Sequence, residues 1–196
     1  GHEVRSSVGL GVGKTPVIPR EVQNALFLHC ERIFNQSENL FSQRDAGTLG
    51  PSTEPMRDLR DACLYLLSIT SGMRNDEVIG VEVGAGRREL RDGVEYCWVG
   101  SVEHKTGKGC VEYLVPPMTL KVVEVLERYS EPLRAALKEE IQSLEASIAQ
   151  MKDAAERRDL VKRLNQARVD GQRVFLGVIY GKYNQITALR GVASRV

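Results

Sequence analysis

A short polar run between two apolar stretches contains side chains suited to phosphate chemistry. It reads Ser71-Gly72-Met73-Arg74-Asn75-Asp76-Glu77. An arginine in such a run can bind two oxygens of one phosphate, because its guanidinium presents N–H donors in a rigid plane. Arg74 is therefore a candidate for binding a phosphate group.

A second group of candidates lies further along the chain, in the polar segment His104-Lys105-Thr106-Gly107-Lys108-Gly109. A lysine on a hairpin can deliver a proton to a leaving oxygen and so act as a general acid. The segment holds two lysines that could do so or could contact a phosphate, Lys105 and Lys108. Taken singly, such an arginine or lysine is more often a solvated surface charge, so the elements around them decide the interpretation.

Two amphipathic helices are predicted before Arg74. The first starts after Pro19 and carries apolar residues at helical spacing. The second spans residues 59–70 and ends at Gly72, where glycine provides a C-terminal cap. The composition of residues 35–56, rich in Asn, Ser, Gly and Pro, predicts a loop between these helices.

Short β-branched and aromatic runs after the arginine predict a small antiparallel sheet. Its strands are expected in residues 78–83, 94–99 and 111–115, with a Gly/Arg-rich turn between the first two. Lys105 then lies between the second and third strands. A helix is predicted to follow over residues 120–129.

A long helical segment is predicted next. Ser130 and Pro132 indicate the start of a new helix, as its cap and first-turn residue. Apolar residues then recur at steps of four and three, the heptad pattern of a coiled coil: Leu137, Ile141, Leu144, Ile148, Met151 and Ala155. Asp170-Gly171 is a turn signal that ends the segment. A helical hairpin within one domain and a contact between subunits both fit this pattern.

Composition narrows the possible classes of protein. The 196 residues are 42% hydrophobic, which suits one domain with a sizeable core, and no apolar run is long enough to span a membrane. The four cysteines are widely spaced without a C-x-x-C motif, which favours free thiols over a zinc site or disulfides.

The charge balance gives no global argument for nucleic-acid binding, since the net charge is +1. Residues 131–196 hold 12 basic against 8 acidic residues, a net charge of +4. Residues 1–130 hold 15 against 18, a net charge of −3. A claim of DNA binding must therefore rest on local positions.

The order of these motifs resembles the catalytic domain of the tyrosine recombinases, the phage-integrase family. The run from Ser71 to Glu77 is similar to the family's T-G-x-R-x-x-E box, with serine in place of threonine. Lys105-Thr106-Gly107 and then Val115-Pro116 follow in the family's order, and Val174-Phe175-Leu176 resembles a later element. The resemblance covers residues 19–130 above all.

The resemblance implies a mostly helical α+β fold with a three-stranded antiparallel sheet, extended here by the long helical segment. It implies an enzyme that cleaves and rejoins double-stranded DNA through a covalent phosphotyrosine, without metal or cofactor. Arg74 and Lys105 match the family's catalytic arginine and general-acid lysine, Lys108 is expected to contact DNA, and Glu77 matches a structural position. The full-length enzyme is expected to form a homotetramer on DNA in the cytoplasm, with a bacterial or phage origin and no membrane contact.

On this interpretation the chain divides into four segments: an extended arm with a tag remnant at its start (1–18), the front part of the catalytic domain (19–132), a helical insertion (133–170) and a return to the catalytic domain (171–196). The family's second box, H-x-x-R, and its tyrosine nucleophile have no match, since no histidine follows His104 and both Tyr180 and Tyr183 come too early. We therefore expect a truncated piece that is inactive alone. The alternatives are a non-catalytic DNA-binding relative and a helical protein-interaction module.

Overall fold

A computed structural model of the chain describes residues 18–103, 109–180 and 184–189. The elements in these residues are, in chain order, α1 (Arg20–Phe34), α2 (Ser37–Asp45), α3 (Glu54–Ser71), α4 (Asn75–Ile79), β1 (Gly86–Arg91), β2 (Val94–Glu103), β3 (Gly109–Val115), α5 (Pro117–Gln150), α6 (Ala154–Asp170), β4 (Leu176–Ile179) and β5 (Gln185–Ala188). The fold is therefore α+β, with a three-stranded antiparallel sheet in the order β1-β2-β3 and an antiparallel pair β4-β5. None of these helices is long and apolar enough to cross a membrane.

The two predicted helices before Arg74 are confirmed as α1 and α3. Helix α3 lies at the centre of the core and packs against both α1 and α5. Its buried residues recur at helical spacing: Met56, Leu59, Ala62, Cys63, Leu66 and Leu67. Burial raises the pKa of the Cys63 thiol, and all four cysteines are free. Gly72 ends α3 with φ 69°, in the left-handed conformation that the sequence predicts for it.

The predicted loop over residues 35–56 is wrong in part, because it contains helix α2. The α2 sequence is mostly polar and has no amphipathic stripe that would reveal a helix. It is held by tertiary contacts instead: Phe41 is fully buried, with the guanidinium carbons of Arg44 and Arg128 at 5.0 and 4.5 Å from the centre of its ring. The helix therefore depends on α5, which supplies Arg128.

The predicted first strand, residues 78–83, is also wrong. Val78 lies in the short helix α4, and the segment after it forms only an isolated antiparallel bridge between Glu82 and Arg173. Alternating β-branched residues favour a strand, but here Val78 and Val81 are fully buried by a helical turn and the segment that leaves it. Burial of these two valines has therefore outweighed the preference of valine for strands.

Strand β1 occupies the segment that composition assigned to a Gly/Arg-rich turn. It has no buried residue, and ion pairs join it to the other two strands: Arg88 to Glu95 of β2 at 3.1 Å and Arg87 to Glu112 of β3 at 3.0 Å. Asp92-Gly93 turns the chain into β2 with positive φ at both residues, 52° and 78°, as a two-residue hairpin turn requires. The predicted second and third strands are confirmed as β2 and β3.

Helix α5 continues through Pro132, where the sequence predicts a new helix. Proline has no N–H to donate to the carbonyl oxygen four residues earlier, which is that of Arg128. Nη1 of Arg44 donates a hydrogen bond of 2.7 Å to that oxygen. Nearby, Nη2 of Arg134 donates to the carbonyl oxygen of Glu127 at 3.0 Å. Side chains thus replace the backbone donor that proline removes, and α5 runs on as one helix.

The heptad segment forms a helical hairpin in which α6 packs back on α5. Leu164 and Ala167 of α6 are buried, and Leu137 of α5 is fully buried. Arg163 donates two hydrogen bonds to Glu140, of 2.6 and 2.5 Å, which join the helices in a bidentate ion pair. The hairpin interpretation of the heptad pattern therefore describes how these helices pack within one chain.

A double-mutant cycle would measure the contribution of the hydrogen bond from Arg44 to the carbonyl oxygen of Arg128, next to Pro132. Arg44→Met should lower the free energy of unfolding by roughly 1–2 kcal/mol, because the carbonyl of Arg128 loses its donor. In a Pro132→Ala background the restored N–H can take over, so the same change should cost about 1 kcal/mol less. Urea denaturation of the four proteins measures both values. Arg57→Met, at an exposed arginine of α3, should show no coupling to residue 132, and equal coupling at both arginines would contradict the role given to Arg44.

Candidate active site at the start of helix α4

The connection between α3 and α4 fixes the backbone that carries Arg74. The hydroxyl of Ser71 donates to the carbonyl of Leu67 at 2.6 Å and accepts the N–H of Met73 at 3.2 Å. Gly72 adopts a conformation that strains any residue with a Cβ. Met73 is buried. The chain thus turns in a defined way before it presents Arg74.

Arg74 is the N-cap residue of α4, and Glu77 closes the turn from inside the helix. The Glu77 carboxylate accepts the backbone N–H of Arg74 at 2.6 Å, the return bond of a capping box. Its other oxygen pairs with Nη1 of Arg74 at 3.0 Å. The carboxylate side chain is 2% exposed, whereas the arginine side chain is 52% exposed. The buried anion therefore holds a guanidinium that still reaches the surface.

The same turn is tied to the sheet through Ser101. Its hydroxyl donates a hydrogen bond of 2.6 Å to the carbonyl oxygen of Glu77, and Ser101 is itself buried in β2. Two residues later β2 ends at Glu103. The start of α4 is thereby fixed to the end of the strand that leads into residues 104–108.

Of the predicted site residues, only Arg74 lies among the described residues. Lys105 and Lys108 fall in 104–108, outside them. Strands β2 and β3 flank this segment and pair in register from Cys97 opposite Val115 to Glu103 opposite Gly109. The predicted position of Lys105, between the second and third strands, agrees with this order. The role of either lysine stays a prediction.

Sequence analysis missed Arg173, which contacts the C-terminal end of α4. Its guanidinium donates to the carbonyl oxygen of Gly80 and pairs with Glu82 at 3.6 Å. Backbone bonds reinforce the contact, from Val83 N–H to Gln172 O at 2.9 Å and from Val174 N–H to Val81 O at 3.2 Å. The turn signal Asp170-Gly171 predicts where α6 ends, but no local pattern predicts that Arg173, two residues later, contacts the end of α4.

Two observations bear on ligands and relatives. In the described ranges, no cluster of three or more His, Cys, Asp or Glu side chains is arranged to hold a metal ion. No protein-family model, curated protein or solved structure matches this chain. A functional interpretation therefore rests on the geometry around Arg74 and on the motif order.

Replacing Glu77 tests whether its carboxylate holds the site together. Glu77→Ala removes a helix cap and a buried, charge-assisted pair, so it should lower the free energy of unfolding by about 2–4 kcal/mol. Glu77→Gln keeps one acceptor for the Arg74 N–H and should cost less. Asp76→Ala, in the same turn but exposed, should cost under about 1 kcal/mol. Urea denaturation measures all three, and an equal loss for Asp76→Ala and Glu77→Ala would count against this assignment.

Proposed function

We propose that this chain is the front part of the catalytic domain of a tyrosine recombinase, an enzyme that cleaves and rejoins double-stranded DNA through a covalent 3′-phosphotyrosine. The observation that carries the proposal is the half-exposed guanidinium of Arg74, held at a helix start by the buried carboxylate of Glu77. A cation fixed in this way can meet an anion at the surface without reorganising, which is what stabilisation of a charged transition state requires.

The role proposed for Arg74 is to bind the non-bridging oxygens of the phosphodiester under attack. Charge accumulates on these oxygens as the nucleophile approaches, and a guanidinium can contact two of them at once. The ion pair with Glu77 uses Nη1 of the same guanidinium and so fixes its plane. Glu77 acts here as a positioning residue, consistent with its burial.

The role proposed for Lys105 is to protonate the 5′-oxygen as it leaves. The bond between Ser101 and Glu77 supports this division of labour, because it fixes the arginine-bearing turn to β2, the strand that leads into the lysine segment. Lys108 in the same segment is proposed to contact a neighbouring phosphate. Neither lysine role requires a metal ion or a nucleotide.

The order of elements gives further support. A helix, the arginine turn, a three-stranded antiparallel sheet and a helix after Val115-Pro116 follow one another in the layout that the resemblance implies. Buried Val174, Phe175 and Leu176 come after the α5–α6 hairpin, at the family's later element. The second box, the tyrosine nucleophile and assembly as a tetramer on DNA, in a bacterial cytoplasm, belong to the full-length enzyme under this proposal.

Cleavage by the full-length enzyme tests the two roles. Arg74→Lys keeps a cation for Glu77 but loses the planar pair of donors, and it should slow cleavage by about two orders of magnitude. Lys105→Ala should cause a loss of similar size. DNA affinity should fall less than about tenfold in each, since one phosphate contact is one among many. Lys152→Ala, between α5 and α6, serves as the control and should cleave normally.

A substrate with a sulfur atom at the 5′-bridging position separates the two residues. Its thiolate leaves without a proton, so it should restore cleavage to Lys105→Ala but not to Arg74→Lys. Single-turnover cleavage rates on both substrates provide the measurement. Equal rescue of both variants, or normal cleavage by either on the ordinary substrate, would rule out the proposed roles.

A further inference from the structure

Helix α6 presents a cationic face to solvent. Arg158, Lys162, Asn165 and Val169 follow one another at steps of three and four residues, Val161 lies beside them, and all five are exposed. Arg157 is exposed beside them, one turn before Val161. No carboxylate interrupts this series. We call Arg157, Arg158 and Lys162 the α6 basic face.

These three cations lack the ion pairs that most other arginines of the described chain form. The carboxylates of α5 that face α6 are already used, Glu140 by Arg163 and Glu145 by Arg168 at 2.7 Å. Within the described ranges Arg157, Arg158 and Lys162 take part in no ion pair, and the one side-chain bond among them runs from Nε of Arg158 to the carbonyl of Ala154 at 3.3 Å. The hairpin thus pairs Arg163 and Arg168 with carboxylates of α5, whereas these three cations take part in no ion pair among the described residues.

A second group of cations lines a cleft between α5 and the C-terminal end of α6. The cleft, of about 390 Å³, is lined by Arg134, Lys138 and Arg168 and by one carboxylate, Glu131. Arg168 belongs both to α6 and to the cleft. The charge of the cleft is partly compensated, because Arg168 pairs with Glu145 and Glu131 lines the same cleft.

We propose that the α6 basic face binds the phosphate backbone of double-stranded DNA, outside the cleavage site. The proposal rests on the proposed function, which supplies the polyanion. Cations one helical turn apart on the exposed side of a helix suit a row of phosphates. The contact is independent of base sequence, because phosphates carry no sequence information.

The experiment measures how duplex binding by the full chain depends on salt. The variant Arg157→Gln/Arg158→Gln/Lys162→Gln keeps good helix formers and removes three charges. Its matched control, Arg20→Gln/Arg57→Gln/Lys121→Gln, removes three exposed cations that are scattered over α1, α3 and α5. Fluorescence anisotropy of a short labelled duplex gives the affinity over a range of NaCl concentrations, and far-UV circular dichroism checks that each variant is folded.

Loss of three phosphate contacts should lower the slope of log K against log salt by about 2–3 in magnitude for the α6 variant. The control should change the slope by less than about 1. An equal effect of both variants would reduce the result to net charge and overturn the proposal, and so would an unchanged slope in the α6 variant.

Two further outcomes would also overturn it. Polyglutamate that competes with the duplex at equal charge would identify the face as a site for acidic protein. If the unmodified chain shows no salt-dependent binding of the duplex, double-stranded DNA is not the ligand of this face. The proposed function is tested separately, by the cleavage rates of the Arg74 and Lys105 variants. Neither of these residues belongs to the α6 basic face, so the two proposals can fail independently.

Discussion

The buried carboxylate of Glu77 is the constraint on which the arrangement around Arg74 depends. A carboxylate removed from water must have its charge and its oxygens satisfied, because an uncompensated buried anion is strongly destabilising. Glu77 meets this demand with the backbone and side chain of Arg74, and its own carbonyl accepts from Ser101. The turn after α3, the short helix α4 and strand β2 are therefore fixed by one residue, which explains how a five-residue helix persists.

The long helix α5 supports the structure from the other side. It contacts α3, α6 and the sheet, and Tyr129 in its middle donates to the carbonyl of Leu176 at 3.2 Å. Pro132 would interrupt such a helix if the carbonyl of Arg128 stayed unbonded, yet α2 supplies Arg44 at that point. The short, polar helix α2 thus stabilises the long helix α5.

Local patterns predict some elements here and not others, for physical reasons. Amphipathic spacing and a left-handed glycine suffice for α3 and Gly72, because both are determined within a few residues. The Asp92-Gly93 pair is a hairpin signal, but composition assigned it to a longer Gly/Arg-rich turn, because β1 lacks the apolar alternation of a strand. Helices α2 and α4 depend on contacts with residues far away in the sequence. The contact between Arg173 and Gly80 is of this kind, so no local pattern predicts it. Motif order predicted Arg74 as a candidate and Glu77 as a structural position, but no local pattern predicted that Glu77 is buried.

Those long-range contacts have a consequence for synthesis on the ribosome. The bond from Arg173 to Gly80 joins residues 93 positions apart, and Arg60 reaches Leu176 across 116 positions. At roughly 5–20 residues per second, Arg173 emerges several seconds or more after the turn that carries Arg74. During that interval the turn can form its local bonds with Glu77 and Ser101, but its exit from α4 has no partner. Final closure therefore comes late, and a nascent chain exposes the surface that residues 171–176 later cover.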